Sequence, residues 1–357
     1  MALILTSLMQ IAGLGFDAVI DVRSPAEFAE DHLPGAINLP VLDDAERARI
    51  GTIYKQESPF LARKLGAALV ARNAAAHLEG PLADMAGGWR PLVYCWRGGQ
   101  RSGSFATILQ QVGWRVELIQ GGYKAWRSLV VAELTDRPVV APVIVLDGNT
   151  GTAKTEVLAL LAKRGVQVID LEGLANHRGS LFGHRNGGQP SQKAFEGRLA
   201  MALAALDPAR PLVVEAESSR IGNLMLPKQL WAAMVAAPRI RIAAPLAARA
   251  AYLARAYADM TADRAGLIKV VESLKHAHPA DLIAEWVAMA EQDAFEALAA
   301  GLMQDHYDRR YEKHRARFAA QGEPVLTTDS LLPEALETLA DRIASVLPGI
   351  VGVSFLG

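Results

Sequence analysis

The chain has one cysteine, Cys95, and the residues around it favour a thiolate. It ends an apolar run, Leu92 to Cys95, that reads as a strand. Six residues, Trp96-Arg97-Gly98-Gly99-Gln100-Arg101, then separate it from a predicted helix start. The two glycines let loop N–H groups turn toward the sulfur, while the helix N-terminus and the Arg97 and Arg101 guanidiniums stabilise negative charge there. Such surroundings lower a thiol pKa and make the sulfur a nucleophile. A lone cysteine is more often a small core residue, and composition by itself favours that reading; the chemistry of the loop reverses it. Being alone, Cys95 excludes an internal disulfide, a CxxC redox pair and a zinc site of several thiolates, and the expected compartment is the cytoplasm.

A second chemical signal lies in Gly148-Asn149-Thr150-Gly151-Thr152-Ala153-Lys154-Thr155, placed between a predicted strand and a predicted helix. This is the context of a Walker A phosphate loop. The amides at Gly148, Thr150 and Gly151 and the helix N-terminus would wrap phosphate oxygens, with Lys154 as a point charge and Thr155 as a hydroxyl ligand to phosphate or magnesium. Ala153 replaces the usual glycine before the lysine. Its methyl is tolerable only if that residue has helical dihedrals and nothing presses on it, so phosphate binding is expected and ordinary ATP turnover is not. Glu215 and Glu217 follow the apolar run Leu212 to Val214, where such a fold often sets a metal-facing carboxylate; a solvated strand end is an equal alternative. No tightly bound cofactor is expected, and magnesium is the one ion the loop suggests.

These signals need elements to hold them. At 357 residues, 51% apolar and 21% charged, the chain fits two folded domains. Short apolar runs alternate with helical patches, the pattern of parallel α/β sheets. Val19 to Val22, Leu92 to Cys95 and Arg115 to Ile119 are predicted strands; Pro25 to Glu30 and Ser102 to Val112 are predicted helices, and a further helix carries Trp126 after Gly121-Gly122. Two prolines and a polar stretch between Thr135 and Pro142 mark a linker, which gives domains 1–138 and 139–357. The second begins with the strand Val143 to Leu146 and the helix Lys154 to Arg164. Strands follow at Val166 to Leu171, Leu212 to Ala216 and Ile240 to Ala243, then a helical region over Leu246 to Phe318. Met1 to Phe16 lacks a basic leading region and reads as part of the first domain, and no membrane span is expected. Acidic and basic side chains balance up to Pro138 and nearly balance after it, so a nucleic-acid partner would have to be held by a local basic surface.

Two resemblances follow from the motifs. Asp21-Val22-Arg23-Ser24-Pro25 with Glu27-Phe28, then His32-Leu33-Pro34-Gly35-Ala36-Ile37-Asn38-Leu39-Pro40, the cysteine loop and Gly121-Gly122-Tyr123-Lys124-Ala125-Trp126 together resemble a rhodanese domain, in the right order. The resemblance implies a cysteine that carries a persulfide, or by analogy a perselenide, with Asp21 and Arg23 structural or loop-orienting. Asp21 reads mainly as structural, bonding turn amides at a strand end. The polar run Leu171 to Ser180, with Phe182-Gly183, Gln189-Pro190-Ser191-Gln192, Phe195-Glu196 and Glu217 to Gly222, resembles the tRNA 2-selenouridine synthase family, whose order is rhodanese then P-loop. That resemblance implies replacement of sulfur by selenium in wobble-position 2-thiouridine, with selenophosphate as donor, and an S-geranyl intermediate made from geranyl diphosphate.

For a tRNA partner the candidates are His177, Arg178, Arg185, Lys193 and Arg220, with the predicted helix face Arg310, His314 and Arg317 as a second set. A basic helix face is more often only solvated. Two other readings compete: a P-loop small-molecule kinase fused to a sulfurtransferase, opposed by Ala153 and the polar segment, and a non-enzymatic binding module, opposed by the intact cysteine loop.

Overall fold

A computed structural model describes residues 2–309 and 324–354; the helix face with Arg310, His314 and Arg317 lies outside them. The chain forms two compact units: Met1–Pro138 with Pro190–Ala205, and Val139–Gln189 with Leu206–Gly357.

The first unit is a five-stranded parallel sheet. Its strands are β1 (Ala2–Leu3), β2 (Ala18–Asp21), β3 (Ala36–Asn38), β4 (Pro91–Tyr94) and β5 (Glu117–Ile119), ordered β1-β5-β4-β2-β3. Helices α1 (Pro25–Glu30), α2 (Asp44–Gln56), α3 (Pro59–Glu79), α4 (Gln100–Val112) and α5 (Gly122–Thr135) connect the strands, as parallel pairing requires. β4 is central and wholly buried, hence its unbroken apolar run and its position at the root of the cysteine loop. α4 begins at Gln100, earlier than the sequence suggests, because Gly99 takes the N-cap position; Gly113 closes it in the left-handed conformation.

The second unit has the parallel strands β6 (Val143–Gly148), β7 (Gln167–Ile169), β8 (Leu212–Glu215), β11 (Arg239–Ala243) and β12 (Val325–Thr327), ordered β12-β11-β6-β8-β7. Two short antiparallel strands, β9 (Arg220–Ile221) and β10 (Leu224–Met225), form a separate hairpin. Strands run out from β6 on one side to β8 and β7 and on the other to β11 and β12. The C-terminal end of β6 is therefore a topological switch point, where open α/β sheets bind ligands. The phosphate loop leads from there into α6 (Lys154–Lys163). The strand expected over Val166 to Leu171 ends at Ile169, because Asp170 caps a short helix, α7 (Leu171–Ala175), accepting the Gly173 N–H at 2.6 Å. After α9 (Lys228–Ala236), the predicted helical region consists of α10 (Leu246–Ala256), α11 (Ala258–Ala262), α12 (Arg264–Glu272), α13 (Ala280–Glu291), α14 (Phe295–Leu302) and a π-helical turn over Met303–Tyr307. A last helix, Pro333–Ser354, packs on α6.

Residues 190–205 carry the helix α8 (Gln192–Ala204), which packs on α5 of the first unit. Gly197 is required there, since a Cβ would stand 2.7 Å from the Trp126 ring. Arg127 pairs with Glu196, and Lys193 with Glu30 at 2.6 Å. No helix among the described residues is long and apolar enough to cross a membrane.

Candidate functional site

Cys95 lies one residue past β4, buried in the core of the first unit. Its sulfur accepts hydrogen bonds from the Gly99 N–H at 3.3 Å and the Ser102 hydroxyl at 3.2 Å. Burial pushes the thiol pKa up; the Ser102 and Gly99 donors and the charge of Arg101 pull it down, and the net shift is downward. Arg101 shares its charge with Glu27, bonded at 2.6 Å, and Arg97 is exposed with no ion pair among the described residues. The closest stabilising groups are thus one loop amide and a serine hydroxyl. Ser102 was not marked by sequence, though it stands seven positions after Cys95, on the first turn of α4.

The Gly121-Gly122-Tyr123-Lys124 turn fixes the loop from behind. The Tyr123 N–H bonds the Cys95 carbonyl at 2.8 Å and the Lys124 N–H bonds that of Trp96 at 3.0 Å. Gly122 has φ +58°, and a Cβ there would overlap the Cys95 carbonyl oxygen. Asp21 accepts the Arg23 amide at 2.9 Å and its guanidinium at 2.6 Å, and the same guanidinium donates to the Asp31 carbonyl and lies 4.1 Å from the Tyr123 ring centre. Asp31 in turn accepts the Tyr123 hydroxyl at 2.7 Å. Both Asp21 and Arg23 are buried and hold structure around the loop.

In the second unit the phosphate loop lines a polar pocket with Glu172, Arg178, Ser180 and Arg185. Gly151 has φ +83° and sits 3.0 Å, at its notional Cβ, from Leu253. Ala153 is left-handed as well, at φ 58°, ψ 30°, with its methyl buried in the core. The helical dihedrals that its side chain was expected to need are therefore absent: this non-glycine residue keeps the loop's left-handed geometry at a cost of about 1–2 kcal/mol. Lys154 Nζ donates to the Gly148 carbonyl at 3.0 Å. Arg249, buried on α10, bonds the Thr150 carbonyl at 3.1 Å and Asp308 at 2.8 Å, and Asp308 also accepts from Asn149 at 2.9 Å. Sequence reasoning missed this brace because 159 positions separate Asn149 from Asp308.

The Thr155 hydroxyl donates to Glu172 at 2.9 Å, and the Glu172 amide donates to Glu215 at 2.7 Å. Glu215 is fully buried; burial first, and then repulsion from Asp170 and neighbouring glutamates, holds its pKa well above the carboxylate range. Glu217 is pushed up to about 8 by burial and by Glu172, with Lys154 opposing. Both carboxyls are thereby shifted toward their protonated forms. Among the described residues no group of three or more His, Cys, Asp or Glu could hold a metal ion.

Of the basic candidates, Arg178 and Arg185 come together at this pocket. Arg178 pairs with Asp259 at 2.8 Å and lies 4.5 Å from the Tyr257 ring centre; Arg185 is 3.8 Å from Glu172. His177 is buried, accepts the Gly179 N–H at Nδ1, and has its pKa lowered by burial and then by His184 and the two arginines. It is neutral and shapes the turn instead of carrying charge. Arg220 is exposed in the β9–β10 hairpin, bonded to the Gly222 carbonyl at 2.7 Å, and Lys193 belongs to the first unit. Phe182 is buried.

Residues 7–129 match the rhodanese-like domain family, and residues 141–276 match the family described as the tRNA 2-selenouridine synthase AAA domain. A tRNA 2-selenouridine synthase of Shewanella loihica is 36% identical over 267 residues, covering 72% of this chain and 71% of that protein. The chain belongs to the tRNA 2-selenouridine synthase family. Proteins of the same name from Chromohalobacter salexigens and Alcanivorax borkumensis are 42% and 41% identical over 250 and 237 residues, covering 68% and 65% of this chain. The matched stretches span 65% and 64% of those two relatives' length. In family terms, the cysteine loop and the phosphate loop fall in the two matched regions, one in each.

Proposed function

We propose that the chain replaces sulfur by selenium in wobble-position 2-thiouridine of tRNA, with selenophosphate as selenium donor and S-geranyl-2-thiouridine, made from geranyl diphosphate, as intermediate. The observation that carries this reading is the sulfur of Cys95, held toward its thiolate by two donors in a chain of this family. The phosphate loop supplies the other need, since both small substrates carry phosphate groups. Geranylation makes the base sulfur a better leaving group. The Cys95 thiolate then adds at C2 of the base and the C2–S bond breaks with loss of geranyl thiol; selenium of selenophosphate displaces Cys95 from C2 as thiolate, and water takes the phosphoryl group from selenium as phosphate. A magnesium ion arriving with diphosphate would find oxygens in Thr155 and Glu172, in keeping with its habit of taking one or two carboxylates plus substrate phosphates. We place the reaction in the cytoplasm, where an unpaired thiol stays reduced.

The test is nucleoside analysis of thio-tRNA treated with the purified protein, selenophosphate and geranyl diphosphate. With Cys95→Ser, selenouridine is expected to fall at least a hundredfold while the geranylated nucleoside accumulates; selenouridine at wild-type level overturns the role of Cys95. Lys154→Ala is expected to raise the KM for geranyl diphosphate at least tenfold, because it removes the charge aimed at the phosphates.

A further inference from the structure

The phosphate pocket adjoins a second pocket of opposite chemistry. Its walls, from α10, α12, α14 and the turn at Phe182, are almost entirely carbon, with Phe182, Leu267, Leu298, Ala299 and Leu302 among them. It is partly open to solvent, and the space outside the protein atoms, mouth included, is about 560 Å³. Thr150, Ser180, Leu253 and Tyr257 line both pockets, so the two meet at a shared neck. The apolar side offers water almost no hydrogen-bond partners and favours hydrocarbon. A single ligand satisfying both sides has an anionic phosphate head, a hydrocarbon tail and one joining carbon at the neck.

We propose that the apolar pocket is the tail subsite for the isoprenoid chain of an allylic diphosphate, with C1 of the chain at the neck beside Tyr257 and Ser180; this rests on the reading that the protein geranylates thio-tRNA. The diphosphate lies along the loop from Gly151 to Thr155. The base sulfur attacks C1, the C1–S bond forms as the C1–O bond breaks, diphosphate leaves with the electron pair toward Lys154, and the N3 proton of the base passes to water. Tyr257 is held against the Arg178 guanidinium at the phosphate side of the neck, which sets one wall of the reaction space. Tail length then governs affinity, since each buried methylene is worth about a fourfold gain.

Calorimetry on the whole protein with geranyl, dimethylallyl and inorganic diphosphate tests this. Geranyl diphosphate is expected to bind at least tenfold more tightly than the dimethylallyl compound, and Ala299→Phe, which sets a ring in the tail pocket, is expected to remove that advantage while leaving inorganic diphosphate unaffected. Equal affinity for the two chain lengths in wild type overturns the subsite, whatever Ala299→Phe does to the fold. An undiminished preference in the variant overturns it too. Transfer to thio-tRNA is measured separately: a wild-type protein that prefers the longer chain but transfers none of it retains the subsite and refutes the geranylation reading.

Discussion

A thiol that acts as a nucleophile must ionise at working pH, and the burial of Cys95 opposes that. Two donors aimed at the sulfur outweigh the burial, with Arg101 adding what charge Glu27 leaves it. The sign is fixed: donors favour the thiolate, so the thiol titrates below its ordinary value and its reactivity rises to a plateau at lower pH than that of a free cysteine. Ser102→Ala removes one donor and is expected to move the midpoint of iodoacetamide alkylation upward, slowing reaction at pH 7 several-fold. An unchanged midpoint would assign the shift to the loop amides alone. The neighbouring Asp21–Arg23 pair is of a different kind. It is wholly buried, and removing either partner would strand the other at a cost of about 3–5 kcal/mol.

At the scale of the element, the phosphate loop is held in shape by strain and by long-range bracing. Ala153 occupies a left-handed position that suits glycine, and its methyl fills a buried space. Ala153→Gly therefore relieves about 1–2 kcal/mol of backbone strain and loses about 0.8 kcal/mol of buried methyl. The expected result is a urea midpoint equal to or slightly above wild type. In a right-handed helix interior the same substitution costs about 1 kcal/mol, so a clear drop in the midpoint would refute the left-handed assignment. The Arg249–Asp308 brace explains how the loop keeps a strained residue: its carbonyl at Thr150 and its side chain at Asn149 are tied to the helical region.

Over the whole molecule the charge balance is near zero, with a formal net charge of −1, so the proposed tRNA partner would have to be held by a local surface. Arg178 and Arg185 are the pair that the fold assembles, each facing a carboxylate that a phosphate would have to displace. Binding is expected to weaken with added salt, and Arg178→Ala or Arg185→Ala should each reduce the slope of log K against log salt by about one. A filter-binding titration in which both variants keep the wild-type slope would move the tRNA surface elsewhere. Lys193 makes a useful contrast, because it lies on α8 with the first unit and is paired with Glu30.

Local order was legible in the sequence because it depends on neighbours: the apolar runs of β4 and β6, the capping of α4 by Gly113, and the glycines and lysine of the phosphate loop. The motifs also carried the family. What the sequence could not show depends on groups brought together from far apart. Glu215 and Glu217 suit either a metal-facing position or a solvated strand end by sequence, and only the fold buries Glu215 completely and, through Asp170 and the neighbouring glutamates, raises its pKa. His177, a candidate for the tRNA surface by sequence, is buried, and its pKa is lowered for the same kind of reason. The Arg249 brace, the return of residues 190–205 to the first unit and the apolar pocket beside the loop are likewise decided by tertiary packing. A pKa, a long-range hydrogen bond and a cavity are set by the surroundings of a side chain, and those surroundings exist only once the chain has folded.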